Sequence, residues 1–169
     1  MTIEEGKRFL EGEGLPYAEL HFENERSYWQ DVSIWKLPED RGKDGPVTIL
    51  RIESPNGRRH LDLQFLKGEF LDLWFGGYGF ELWESEDLRK DLLYYIRQIL
   101  RGRSYCSVWV NLKNNKWAGD GYFSEEEGDS GIREELVQLC RPKTRKERLL
   151  RTRTLCEIYD WNEYHRIER

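Results

Sequence analysis

Leu61-Asp-Leu-Gln-Phe-Leu-Lys-Gly-Glu-Phe-Leu-Asp-Leu-Trp-Phe75 decides the fold. Its first half alternates Leu61, Leu63 and Phe65 against Asp62 and Gln64, with His60 just ahead on the polar parity. Its second half alternates Leu71, Leu73 and Phe75 against Phe70, Asp72 and Trp74. A period of two is that of a strand, whose successive side chains point to opposite faces. Lys67-Gly68-Glu69 turns the chain between them, so the stretch predicts an antiparallel pair.

The same period extends outward. Upstream, Val47–Ile52 alternates, and Ser54-Pro55-Asn56-Gly57 is a strong turn signal that joins it to the next strand. Ala18–Glu23 alternates too, and Tyr28–Leu37, aromatic and β-branched, reads as a further strand. Downstream, Gly76-Gly77 breaks the run and Gly79–Trp83 resumes it. These strands form a meander, with one face wetter than the other.

Helices bracket the meander. Thr2 caps a short one that carries Glu4 and Glu5 in its first turn and ends at Gly12 and Gly14. Ser85 caps the long one, residues 86–101, in which Leu88, Leu92, Ile96, Ile99 and Leu100 form one apolar stripe and Gly102 follows as the stop. Then Cys106, Val108 and Val110 lie on one parity of a strand. A two-residue Asn114-Asn115 turn returns it along Trp117–Phe123, which sets Trp109 opposite Asp120 and Val108 opposite Gly121. Gly119 and Gly121 leave a gap there for an aromatic ring. Ile132–Leu139 reads as a short helix and Leu149–Tyr159 as a strand. Strands flanking a helix, without βαβ alternation, predict an α+β domain spanning residues 1–169. It would be a mainly antiparallel sheet of about six to eight strands with helices packed on it.

Hydrophobic residues are a modest 38 %, but seven Trp, nine Tyr and seven Phe supply enough buried area to exclude disorder over most of the chain. Three cysteines, an odd number without close spacing, point to free thiols in a reducing cytoplasm rather than a disulfide framework. The first residues lack the basic and apolar regions of a signal peptide, and no run approaches a membrane span, so a cytoplasmic protein is expected. The net charge of −5 is uneven. Residues 141–153 carry seven basic residues against Glu147 alone, a local +6 that leaves −11 for the remainder.

The order Glu69-Phe-Leu-Asp-Leu-Trp-Phe-Gly-Gly77, a capped helix ending Ile96-Arg-Gln-Ile-Leu-Arg-Gly102, then Val108-Trp-Val and Asn115-Lys-Trp-Ala-Gly119, resembles a group of small bacterial proteins. That group is similar to the immunity proteins found beside polymorphic toxins. The resemblance covers about residues 69–123. It departs where Tyr78-Gly79-Phe80 stands in place of a His-containing segment. It implies a non-enzymatic binding or neutralising role and carries over no catalytic residue, metal or cofactor.

The candidate sites are few. His21, His60 and His165 are isolated and lack zinc-ligand spacing. Cys106 lies on an apolar parity, the usual place of a buried thiol. Asp62 and Asp72, on polar parities of neighbouring strands, are a candidate acid–base pair, and equally a solvated sheet face. Gly76-Gly77-Tyr78-Gly79 lacks the ending and following helix of a phosphate loop and reads as a turn or bulge. Arg141, Lys143, Arg145 and Lys146 are candidate anion ligands, or else pair with Glu125, Glu126 and Glu127. Trp74, Tyr78, Trp109 and Trp117 would be exposed partner-binding rings on a bare sheet face, and core if that face is covered.

The expectation is therefore a protein-binding module whose acidic remainder suits a basic toxin partner, with no cofactor and no membrane. A nucleic-acid factor using residues 141–153, and a small hydrolase on the paired carboxylates, are the alternatives.

Overall fold

The structure, a computed structural model, describes residues 1–33, 35, 45–80, 82, 85–124, 131–141, 144, 145 and 153–169. It is an α+β fold in which, among the described residues, nine antiparallel strands divide between two sheets. In chain order the elements are α1 (Ile3–Gly12), β1 (Ala18–Phe22), α2 (Glu25–Val32), β2 (Val47–Ile52), β3 (Leu61–Leu66), β4 (Glu69–Phe75), β5 (Tyr78–Phe80), α3 (Leu88–Leu100), β6 (Ser104–Asn111), β7 (Lys116–Ser124), α4 (Ile132–Leu139), β8 (Thr154–Tyr159) and β9 (Tyr164–Glu168). The first sheet runs β1-β2-β3-β4-β5, and the second β7-β6-β8-β9.

The first sheet follows its turns. Gly57, at φ +64°, donates its N–H to the Ser54 carbonyl in the loop between β2 and β3. Lys67 and Gly68, at φ +52° and +90°, make the tight turn between β3 and β4, as a two-residue hairpin requires. Gly76-Gly77 is the two-residue turn into β5, which pairs Phe75 with Tyr78.

Three local expectations are corrected. The stretch read as a strand from Tyr28 begins instead as helix α2. Asn24 caps it, accepting the Ser27 N–H at 2.9 Å, and it buries Tyr28 and Trp29. A cap and a sheet face to cover outweigh the strand preference of aromatic residues. Of residues 33–37, only Ser33 and Trp35 are described. The long helix starts at Leu88 rather than 86. Asp87 is its cap, and the Ser85 hydroxyl donates to Asp91 Oδ2 at 2.6 Å.

The third correction is the β6–β7 register. Asn111 pairs with Lys116 across a four-residue turn, and a bulge follows, so Trp109 faces Gly119 and Val108 faces Asp120. The expected pairing is off by one because the longer turn shifts the register by two residues and the bulge between Trp109 and Val110 restores one of them. The gap expected at Gly119 and Gly121 is filled by an aromatic ring at Gly121 only, since nothing lies within 4 Å of where a Cβ of Gly119 would stand. The Phe123 ring lies 2.8 Å from where a Cβ of Gly121 would stand and stacks on Tyr105.

Both faces of the first sheet are covered. On one face, Leu50, Ile52, Leu61, Leu63, Phe65, Leu73 and Phe75 meet Leu10 of α1, Leu92, Ile96 and Ile99 of α3, and Cys106, Val108 and Tyr159 of the second sheet. On the other, α2 packs Tyr28 and Trp29 on Val47 and Ile49. The outer face of the second sheet carries α4, with Leu139 against Tyr105, Cys156 and Ile158. Among the described residues, no helix is long and apolar enough to cross a membrane.

Candidate functional site

The densest polar chemistry lies at the seam between the sheets. Arg51 on β2 and Asp62 on β3 are cross-strand partners. Arg51 Nε donates to Asp62 Oδ1 at 2.8 Å and Nη2 to Oδ2 at 2.7 Å. The buried Tyr28 hydroxyl adds a third donor to Oδ2 at 3.1 Å. Beside this pair, Arg59 reaches from the β2–β3 loop to Glu157 on β8, its Nε 2.7 Å from Oε2, while Nη1 donates to the Val32 carbonyl. Tyr164 of β9 donates to Glu157 Oε1 at 2.6 Å. Arg51, Arg59 and Asp62, with Asp31, Arg58, His60 and Gly76, line a recess of about 180 Å³.

This geometry is that of charge pairing. Each oxygen of Asp62 and Glu157 receives at least one donor. Burial, and then the Asp62 charge, push the Tyr28 hydroxyl well up. Burial and Glu157 push Tyr164 up to about 12. Both phenols therefore stay protonated as donors at neutral pH. Asp72 is not the partner of Asp62: in the register, Asp62 faces Trp74 and Asp72 faces Gln64. The expected carboxylate pair is thus replaced by two carboxylate–arginine pairs. Asp62 and His60 were visible as polar-parity residues. Arg51 had a signal too, since it flanks the same turn as Asp62. Arg59 and Glu157 stand 98 residues apart and had none.

The remaining chemical candidates are dispersed. His60 Nδ1 accepts the Ser54 N–H at 3.1 Å, and burial holds its pKa below 6.5 against the pull of Glu53. His21 rests on Thr48 and Glu19, and His165 on Glu163. Among the described residues, no three His, Cys, Asp or Glu are placed to hold a metal. Cys106 is buried, and burial drives its thiol pKa well up. The Gly76-Gly77 loop holds no phosphate cradle; it is pinned by the Tyr159 hydroxyl, which accepts the Gly77 N–H at 2.9 Å and donates to the Phe75 carbonyl at 2.8 Å.

The four candidate partner-binding rings do not converge. Trp74 is half-buried under α2, edge-on to Trp29 at 4.3 Å, with its indole N–H on Gln64 Oε1. Tyr78 lies on the opposite face of that sheet, against Tyr122 and Phe80. Trp109 packs beside α4. Of the four, Trp117 alone is exposed, at 51 %. The rings are separated because Trp74, Tyr78 and Trp109 lie on covered parts of three different sheet faces, while Trp117 lies on the exposed end of β7. Of the anion candidates, Arg141 and Arg145 are exposed, and Lys143 and Lys146 lie outside the described residues, as do Glu125, Glu126 and Glu127.

A second charged region emerges at the sheet edge. Residues 11–25 contain five glutamates and neither lysine nor arginine. They run from the end of α1 through β1, the edge strand of the first sheet. Glu11, Glu13, Glu19 and Glu23 are exposed. Lys7 pairs with Glu19 at 2.9 Å and Arg97 with Glu13 at 3.0 Å, so the neutralisation is partial.

No family model, curated protein or solved structure matches this chain.

Proposed function

We propose that this chain is a non-enzymatic protein-binding module, of the kind that neutralises a toxin, and that its partner is a basic protein. The observation that carries this reading is the acidic edge, where Glu11, Glu19 and Glu23 stand exposed around β1 with neither lysine nor arginine between residues 11 and 25. β1 pairs on one side only among the described residues, and a sheet edge of that kind offers main-chain hydrogen bonds to an added strand. Carboxylates along it favour a basic segment and raise its association rate. The ion pairs beside the recess support the same reading, because their carboxylates are engaged structurally, Asp62 in tying β2 to β3 within the first sheet and Glu157 in holding the second sheet to the first.

The test is capture of partners by the tagged chain from lysate of its source, with nuclease treatment and a salt series. The reading expects one basic protein retained in stoichiometric amount, released by salt, and lost when Glu11, Glu19 and Glu23 are replaced by lysine. Retention of acidic proteins only, or of nucleic acid that disappears with nuclease, would refute it.

A further inference from the structure

The exposed side of α3 has the opposite character. Lys90, Tyr94, Arg97 and Arg101 are all exposed. At 100° per residue they fall within an arc of about 60° along roughly 16 Å of helix. Tyr94 is among the exposed large hydrophobic residues, at 43 %. Its ring is backed edge-on by Tyr95 at 5.2 Å, and Tyr95 by Phe80 at 4.8 Å, so it stands on a packed aromatic base. Arg103 is exposed just past the helix end. Three of the carboxylates nearby are engaged, and Glu86, exposed ahead of the helix start, lies at the far end of the stripe from Arg97 and Arg101. Asp91 accepts from Ser85, Asp87 caps the helix start, and Glu13 pairs with Arg97, whose side chain remains 54 % exposed.

We infer that this stripe is a docking surface for an acidic segment of a protein, with Tyr94 as the apolar anchor and Lys90, Arg97 and Arg101 as the charge-matching rim. A ring rigidly supported and surrounded by cations is the composition of an interface hot spot. Charge complementarity selects an acidic occupant. A polypeptide is favoured over nucleic acid by what borders the stripe. Glu5 stands 3.9 Å from Arg89, and Glu13 is on Arg97, so a continuous phosphate backbone would meet carboxylates as well as cations. Discrete side-chain carboxylates can sit between them. The inference rests on a different surface from the acidic edge and stands or falls separately.

Fluorescence anisotropy with the full chain tests it, using a labelled glutamate-rich peptide, a lysine-rich peptide and a single-stranded oligonucleotide as probes. The expected result is salt-sensitive binding of the glutamate-rich peptide, weakened about tenfold by Tyr94→Ala and by Arg101→Glu. Both positions are exposed, and unchanged circular dichroism would show that the variants fold. The Glu11, Glu19 and Glu23 variant should still bind that peptide, whereas loss of lysine-rich peptide binding in it would concern the edge alone. Equal binding by parent and variants would overturn the inference. So would tighter binding of the oligonucleotide, or self-association in sedimentation that the two variants abolish.

Discussion

Arg59, in a loop of the first sheet, holds the carboxylate of Glu157 on a strand of the second, with Nε 2.7 Å from Oε2. Their side chains are 12 % and 1 % exposed. Removing one member of such a pair leaves an unpaired buried charge, which costs about 3–5 kcal/mol. Arg59→Ala should therefore lower the urea midpoint sharply. Combining it with Glu157→Gln should recover part of the loss. A double-mutant cycle that gave simple additivity would show that the contact does not couple the sheets.

Tyr28→Phe removes one donor to Asp62 and leaves the ring packing in place. A hydrogen bond to a charged group contributes about 1.5–3 kcal/mol. Chemical denaturation should show a loss in that range. Asp62→Ala should cost more, because it leaves both Arg51 and the Tyr28 hydroxyl unpaired.

Gly76 has φ +57°, and a Cβ there would lie 2.8 Å from the Tyr159 hydroxyl oxygen and from Arg59 Cδ. Gly76→Ala is expected to destabilise by about 1–3 kcal/mol through overpacking and backbone strain. Gly57→Ala, also at positive φ but with open space around it, should cost less. Thermal melts of the two variants compare them directly.

His60 links stability to pH. Burial lowers its pKa in the folded protein below 6.5, so the unfolded chain binds the proton more readily. Stability therefore rises with pH across this window, and the contribution is lost as pH falls from about 6.5 towards the folded pKa. His60→Asn keeps an acceptor for the Ser54 N–H and removes the titration. Urea midpoints between about pH 5 and about pH 8 should show a shallower acid slope for the variant.

Of the three cysteines, Cys140 alone is exposed. Burial pushes Cys156 up to about 12 and Cys106 well up, and reactivity requires the thiolate. One thiol should react promptly with a disulfide reagent in the native protein, and all three in denaturant.

What the sequence by itself determined is local. The alternation around Lys67-Gly68 and the Ser54-Pro55-Asn56-Gly57 turn define the central hairpins, since turn residues and a period of two act over a few positions. The stripe Leu92, Ile96 and Ile99 defines the helix that fills the core, and Thr2 and Gly102 mark helix ends for the same short-range reason. Asn24 is equally local, yet the aromatic run behind it pointed the other way, and only a sheet face needing cover made α2 a helix. The division into two sheets, the partial burial of Trp74 and Trp109, and the Arg59–Glu157 pair were decided by tertiary structure. Each depends on which surfaces meet across tens of residues. A parity pattern states that a side chain points to one face, but not whether water, a helix or a second sheet lies there.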